Sequence, residues 1–356
     1  MNSLSLKQKI GLDMFAAIVR DEARRHPLRQ LFWECTLRCN LSCRHCGSDC
    51  RTGATQRDMP FEDFEKVLLR IKDVYDPHHI SIVVSGGEPL MRDDIARCGR
   101  RMYDLEYPWG MVSNGRLMTE KKIDELLGAG MRSCTISLDG LEEDHNWLRG
   151  SAESFKCAVR AIERLAVEPD FGFDVVTCVN RRNLAALPEL KELLISLGVK
   201  RWRLFTIFSA GRAAGGQDLK LESQEYRSLM DFIIATRKEG RIIANHACEG
   251  FLGPYEGKVR DNLFACHAGL SIAGVRIDGG ISACTSIRPR FDQGNIYRDD
   301  FVDVWEHRFE MYRDRGWARK GECAACRYWK YCLGGGLHLR DAEGNLLHCN
   351  LKNLGI

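Results

Sequence analysis

No uncharged apolar run in this sequence approaches the length needed to cross a bilayer. Its first stretch, "MNSLSLKQKIGLDMFAAIVRDEARR", carries charges throughout and reads as an amphipathic helix, so a secretory signal peptide is excluded. Low-complexity tracts and short internal repeats are absent, which argues against a linker-rich or solenoid chain. Net charge is only +3, too little to suggest a nucleic-acid surface, and "RDEARRHPLRQ" (20–30) reads as a solvated helix face. These absences point to a reduced, cytoplasmic protein with neither membrane insertion nor nucleic acid as a partner. With 356 residues, 44% of them hydrophobic, the chain is long enough for a barrel-sized domain and a smaller one.

Cysteine is what the sequence has in excess: sixteen, in a chain that cannot depend on disulfides. Metal or cluster ligation therefore accounts for the grouped ones, and buried structural thiols for the rest. The densest group is "CNLSCRHCGSDC", where Cys39, Cys43 and Cys46 stand at C-x3-C-x2-C and Cys50 follows. Three thiolates on one tight loop can hold three corners of a cubane iron–sulfur cluster and leave the fourth iron open to a small molecule. The loop alone also fits zinc, with Cys50 as a fourth ligand, or plain buried thiols.

From about 30 to 240, short β-rich runs alternate with segments of helical periodicity. Strands are predicted at 30–36, 79–86, 109–115, 133–140, 173–180 and 201–208, and helices at 60–75, 93–105, 119–130, 154–166 and 183–198. Six such alternations imply a parallel sheet, doubly wound or rolled into an incomplete barrel, with its chemistry at the C-terminal strand ends. The cysteine loop follows the first strand at that edge. Beyond 240 the texture changes to a β-hairpin, "LSIAGVRIDGGISACTS" turning at Asp278-Gly279-Gly280, and a cysteine-rich tail that metal rather than a core would organise. The expected division is an N-terminal helix (1–29), a barrel (30–240) and a small cysteine-rich domain (241–356).

Three further motifs end successive strands: "SGGEPL" (85–90), "VSNG" (112–115) and "SLDG" (137–140). Singly, each is an ordinary polar turn. In this order behind the cysteine triad, they closely resemble the radical S-adenosylmethionine enzymes, over residues 30 to about 210. The resemblance implies an α/β fold with a partial (β/α)6 barrel of the TIM type. It implies that Cys39, Cys43 and Cys46 hold a [4Fe–4S] cluster whose open iron binds the amino and carboxylate groups of S-adenosylmethionine. By the same resemblance His45 lies beside the adenine, and Gly86, Gly87, Glu88 and Pro89 meet the methionine amino group. Asn114, Ser137 and Asp139 contact ribose and carboxylate, and Arg149 pairs with the carboxylate. Reductive cleavage then yields a 5′-deoxyadenosyl radical that takes hydrogen from a target. Cys50 is left over as a buried loop thiol.

Downstream, Cys266, Gly279 and Cys284, then Cys323-x2-Cys326-x5-Cys332 and finally Cys349, resemble the SPASM extension, which carries auxiliary iron–sulfur clusters. Cys323, Cys326, Cys332 and Cys349 make one complete four-thiolate set. Cys266 and Cys284 belong to a second set whose further family ligand is replaced by Gly336; Cys248 is the nearest thiol to raise it to three, with His267 close by. One or two auxiliary clusters are thus expected, the second either three-ligated or lost. Thr285 stands where sulfatase-maturing relatives place an aspartate base, and a hydroxyl is a poor base at neutral pH. The resemblance implies modification of a peptide or protein, as a crosslink, thioether, epimerisation or oxidation; in the last-but-one case Cys178 is the candidate hydrogen donor. The alternatives are radical chemistry on a small metabolite or cofactor precursor and, more distantly, a non-catalytic iron–sulfur or zinc sensor. With no nicotinamide or flavin loop and no leader-binding domain before the barrel, electrons are expected from a flavodoxin or ferredoxin, and recognition of any precursor peptide from the barrel mouth, the SPASM domain or a separate partner.

Overall fold

A computed structural model describes residues 4–356, apart from 49, 208–209, 216–218, 248, 288–290 and 342. Helix α1 (Leu6–Arg25) starts at a capping box in which the Ser5 hydroxyl accepts from the Gln8 N–H while the Gln8 side chain accepts from the Ser5 N–H. Six strands follow as predicted: β1 (Gln30–Thr36), β2 (Ser81–Gly86), β3 (Trp109–Ser113), β4 (Met131–Ser137), β5 (Gly172–Val179) and β6 (Arg201–Thr206). All pair in parallel with their sequence neighbours. The predicted helices return as α2 (Phe61–Lys72), α3 (Ile95–Asp104), α4 (Glu120–Gly128), α6 (Ser154–Ala166) and α7 (Leu187–Ser196), joined by α5 (Glu142–Arg149) and α8 (Ser223–Glu239). This is the expected partial barrel.

The sheet runs further than the sequence suggests. A seventh parallel strand, β7 (Ile243–His246), follows β6. On the opposite side, β8 (Ile272–Val275) lies parallel against β1, and the hairpin continues through β9 (Gly280–Ser282) to β10 (Gly294–Asn295). One ten-stranded sheet therefore carries both the barrel and the start of the cysteine-rich region. β7 is short and ends in Asn-His, which gives little apolar alternation to read. α8 has Tyr226, Leu229, Met230 and Ile233 at helical spacing, all buried, so its signal was present.

The core is aromatic at the first strand. Trp33 is fully buried, stacked on Phe64 of α2 at 4.8 Å with the Arg92 guanidinium 5.1 Å from its ring. Burial of an indole this size is worth about 2–3 kcal/mol, so it anchors the strand that leads into the cysteine loop. α9 (Phe301–His307) packs on α2 and, through Trp305, on the end of α1.

Candidate active site and cluster sites

The cysteine loop leaves the C-terminal end of β1, and "SGGEPL" leaves β2 beside it. The two are locked together: Gly87 N–H donates to Thr36 O at 2.7 Å, and Glu88 N–H to Arg38 O at 2.9 Å. Only glycine permits this approach. A Cβ on Gly86 would lie 2.1 Å from Thr36 O, and one on Gly87 2.1 Å from Arg38 O. The paired glycines thus bring one motif's backbone against the stretch that presents Cys39.

Together these loops wall a cavity of roughly 370 Å³ at the C-terminal strand ends. Cys39, Cys43, Cys46 and Cys50 face it, with His45, Gly86, Gly87, Asn114, Ser137, Arg149 and Cys178 around them. Burial pushes the Cys39 thiol up to about 11 and also raises Cys43. At Cys39 and Cys43 a free thiol is costly to ionise, an obstacle that bound iron removes, whereas the hydrogen bond with Cys50 brings the Cys46 thiol down to about 5. The Nδ1 of His45 and the Oγ of Ser85 are buried there without hydrogen-bond partners. A polar ligand in the cavity has donors and acceptors waiting for it.

The carboxylates of Glu88 and Asp139 are both engaged by protein groups. The Glu88 carboxylate, 1% exposed, accepts from the Ser113 hydroxyl (2.9 Å) and from the N–H groups of Asn114 (2.8 Å) and Leu90 (3.3 Å). Burial still pushes that carboxyl above its ordinary value. It ties the "VSNG" turn to the "GGEP" loop, while the backbone of Gly86 and Gly87 faces the cavity. Pro89 opens the short turn that carries Glu88 inward. Asn114 in turn donates from Nδ2 to Asn40 Oδ1 at 2.8 Å, next to Cys39.

Asp139 sits at the centre of a buried polar network. Arg149 Nε donates to its Oδ2 at 2.6 Å, and Cys178 N–H to its Oδ1 at 2.8 Å. Burial works against the anion, but the Arg149 guanidinium, with His45 and His145 nearby, holds the carboxyl down at about 2. The Arg149 Nη1 lies 3.7 Å from Cys43 Sγ, so the same guanidinium faces both the carboxylate and the cysteine triad. Burial lowers His45 to about 4 despite Asp139 at 3.7 Å, which keeps its ring neutral. His145 is lowered to about 4 for the same reason and accepts at Nδ1 from Asp139 N–H, fixing the tautomer. His45, Asp139 and Cys178 come within 4.8 Å of one another, a spacing compatible with a cation. Arg149 on the same carboxylate removes the charge such an ion would need. Cys178 is pushed well above the ordinary thiol range by burial and so stays a neutral S–H at the cavity wall. The sequence reading missed His145, whose signal was only a lone polar residue on a short helix.

Cys323, Cys326, Cys332 and Cys349 line a second cavity of roughly 310 Å³. Burial raises Cys332 to about 12, and Cys349, Cys323 and Cys326 each add to that rise, which places the four thiols in mutual reach. Arg340 Nη2 lies 3.5 Å from Cys323 Sγ. The set fits a fully ligated cluster. Cys266 and Cys284 lie close to each other, and Cys266 also borders the apolar cluster that takes in Cys326, Cys332 and Cys349. Here the 6%-exposed Arg315 donates to Cys266, as do the Leu337 and Ala268 N–H groups; against burial, they lower that thiol. At Gly336 a Cβ would meet Glu249 O and the His338 ring at 2.7 Å, so the position is closed to a longer side chain. His267 is 3.0 Å from Glu22 of α1. Cys248 lies outside the described residues.

Comparison with known proteins agrees with this geometry. The family model of the Radical SAM superfamily matches residues 33–194, and that of SPASM, an iron–sulfur cluster-binding domain, matches 266–327. The chain is 26% identical to the AdoMet-dependent heme synthase of Methanosarcina barkeri, over 90% of this chain and 94% of that one. It is 29% identical to the mycofactocin maturase MftC of Mycolicibacterium smegmatis, over 86% and 77%. Among solved structures, Streptococcus suis SuiB bound to S-adenosylmethionine superposes with a TM-score of 0.69 at 18% identity, covering 89% of this chain and 76% of SuiB. No helix among the described residues is long and apolar enough to cross a membrane.

Proposed function

Because the chain belongs to the radical SAM superfamily and carries a SPASM domain, we propose that it takes hydrogen from a small metabolite or cofactor precursor during cofactor assembly. The observation that carries this reading is the similarity to a heme synthase across nearly the whole of both chains, the C-terminal region included. A shared radical core alone would not extend so far. The motifs by themselves favour a peptide or protein substrate; that reading stands second, supported by the similarity to a maturase.

When bound, the cluster and S-adenosylmethionine supply a low-potential electron and a hydrogen-abstracting radical. The chain's own residues prepare the place. Cys39, Cys43 and Cys46 would hold the cluster, and the Gly86–Gly87 backbone, held against Thr36 and Arg38, would meet the methionine amino group. Asn114 and Ser137 offer hydrogen bonds at the ends of their strands, and the neutral ring of His45 offers a flat face and an unpaired Nδ1. Arg149, oriented by Asp139, places a fixed positive charge beside Cys43 and toward a carboxylate. Cys178 is present as S–H, the form able to return a hydrogen atom. Cys323, Cys326, Cys332 and Cys349 hold an auxiliary cluster, and a separate flavodoxin or ferredoxin delivers electrons.

The reading is tested by fractionating a uniformly deuterated cell extract by size and incubating each part with reconstituted enzyme and unlabelled S-adenosylmethionine. Deuterium is expected in 5′-deoxyadenosine with the fraction below about 1 kDa. Label arising only from the peptide and protein fraction overturns it in favour of the second reading. A further expectation concerns Thr285, which faces the cavity where a carboxylate base would be required for sulfatase maturation. A sulfatase-derived peptide bearing the Cys or Ser motif should yield no formylglycine by mass spectrometry.

A further inference from the structure

Cys50 has no task in the site as described, yet the fold goes to some length to place it. The segment after it turns back on the start of the cysteine loop. Cys39 N–H donates to Arg51 O at 3.2 Å, Arg51 N–H to Leu37 O at 3.3 Å, and the Thr52 hydroxyl to Cys39 O at 2.9 Å. Arg212 closes the loop from the other side. Its Nε donates to Cys43 O (2.8 Å), its Nη1 to Cys50 O (3.0 Å) and its N–H to Cys46 O (3.0 Å). The loop is thus held at both ends, and Cys39, Cys43, Cys46 and Cys50 face one cavity. Cys50 is 3% exposed, shares one apolar cluster with Cys39 and Cys43, and faces the same cavity as the triad. Its thiol is hydrogen-bonded to that of Cys46. A structural thiol packs into a hydrophobic core, as Cys134 does in the barrel. Cys50 instead sits with the ligands.

We propose that Cys50 is a displaceable fourth ligand: its thiolate closes the coordination of the cluster on Cys39, Cys43 and Cys46 until S-adenosylmethionine takes its place. The inference rests on the family reading given above. The exchange balances without oxidant or reductant. The iron–sulfur bond to Cys50 breaks, and bonds to the amine nitrogen and a carboxylate oxygen form. The ammonium group of S-adenosylmethionine must lose one proton to coordinate, and the departing Cys50 thiolate accepts it, leaving a neutral thiol in the loop. Overall the cluster passes from four thiolates to three without net proton release. A four-thiolate resting state protects the exposed iron from water and oxidative loss, and S-adenosylmethionine opens it only when it is itself bound.

The whole protein, anaerobically reconstituted with ⁵⁷Fe, provides the test through Mössbauer spectra with and without S-adenosylmethionine. Addition should convert about one iron of the radical cluster from a tetrathiolate-type to a nitrogen- and oxygen-ligated signature, a change that any open iron of the Cys266 and Cys284 set does not make. In Cys50→Ala that distinct iron should be present from the start. Mild ferricyanide oxidation without S-adenosylmethionine should then give a [3Fe–4S] EPR signal at least about fivefold stronger than in wild type, with Cys50→Ser between them. A nitrogen- and oxygen-ligated signature that forms with no loss of tetrathiolate-type iron, or equal [3Fe–4S] yields in wild type and variant, overturns the proposal and leaves the family reading intact. If no iron in the wild type responds to S-adenosylmethionine, or the loop takes up only zinc, the family reading falls with it. The wild-type spectra decide the question even if the variants do not fold.

Discussion

Protein in which Cys39, Cys43 and Cys46 are all changed to alanine should form no 5′-deoxyadenosine above the uncatalysed background, while keeping its auxiliary iron. The sulfonium is hard to reduce, and among the described residues Cys50 and Cys178 are the other thiols facing this cavity, too few to hold a cluster. The loss should not reflect unfolding. Cys39 and Cys43 are buried, but each change removes a single sulfur, and the loop is also held by Arg212 and by pairing of 51–52 with 37–39. The cost is about 1 kcal/mol per site, small against the stability of a domain. Iron analysis should fall by about four per chain relative to wild type. Substantial cleavage activity in the triple variant, or loss of all iron, would remove the assignment.

The second large effect is on stability. Asp139→Ala leaves the buried guanidinium of Arg149 without its anion, and uncompensated charges of this kind cost about 3–5 kcal/mol. That is a large part of what a domain of this kind has to lose. The double change Asp139→Leu with Arg149→Met should recover much of the loss, because it removes both charges. The pH dependence gives a separate signature. The Asp139 carboxyl is held at about 2 in the folded protein against about 3.9 in an unfolded chain. A depressed acid stabilises the fold above its unfolded value and ceases to do so as pH falls through the folded one. Its contribution, about 2–3 kcal/mol, is therefore complete above roughly pH 4 and disappears toward pH 2. His45 and His145, both held neutral down to about 4, cost stability as pH falls from roughly 6.5 to 4, because the unfolded chain takes up their protons first. Urea denaturation of wild type and Asp139→Ala should accordingly differ by a constant amount above pH 4 and converge below it. Parallel curves down to pH 2 would contradict the assigned role.

The parts of this arrangement that were legible in the sequence are those with a local cause. β1 was predicted at its observed bounds because its burial pattern is set by neighbours along the chain, and Ser154–Ala166 because its apolar spacing is unambiguous. The triad and "GGEP" were legible because ligand spacing and paired glycines are written in consecutive residues. What could not be read depends on contacts distant in sequence. That β8 would lie against β1, 240 residues earlier, is decided by sheet pairing, and nothing in "SIAGV" specifies a partner. Glu88 and Asp139 show the same limit: motif position identifies both as site residues, but only the fold shows their carboxylates bound to protein groups. Arg315 beside Cys266 belongs here too, as it lies 49 residues downstream. The substrate class is the furthest from local pattern: the motifs favour a peptide, whereas the similarity to a heme synthase along nearly the whole chain supports the proposed small-metabolite reading.

The pairing of β8 with β1 has a consequence for any attempt to separate the two regions. Gln30 to Trp33 hydrogen-bonds on one side to β2 and on the other to Ile272 to Val275. A chain truncated at 240 would keep the first ladder and lose the second, turning the strand that bears the cysteine loop into a bare sheet edge. That edge is short of the charges and prolines with which natural edges resist recruitment: Leu31, Phe32 and Trp33 lie in its middle. An isolated barrel would therefore be prone to stack edge to edge through the strand that must stay ordered to present Cys39.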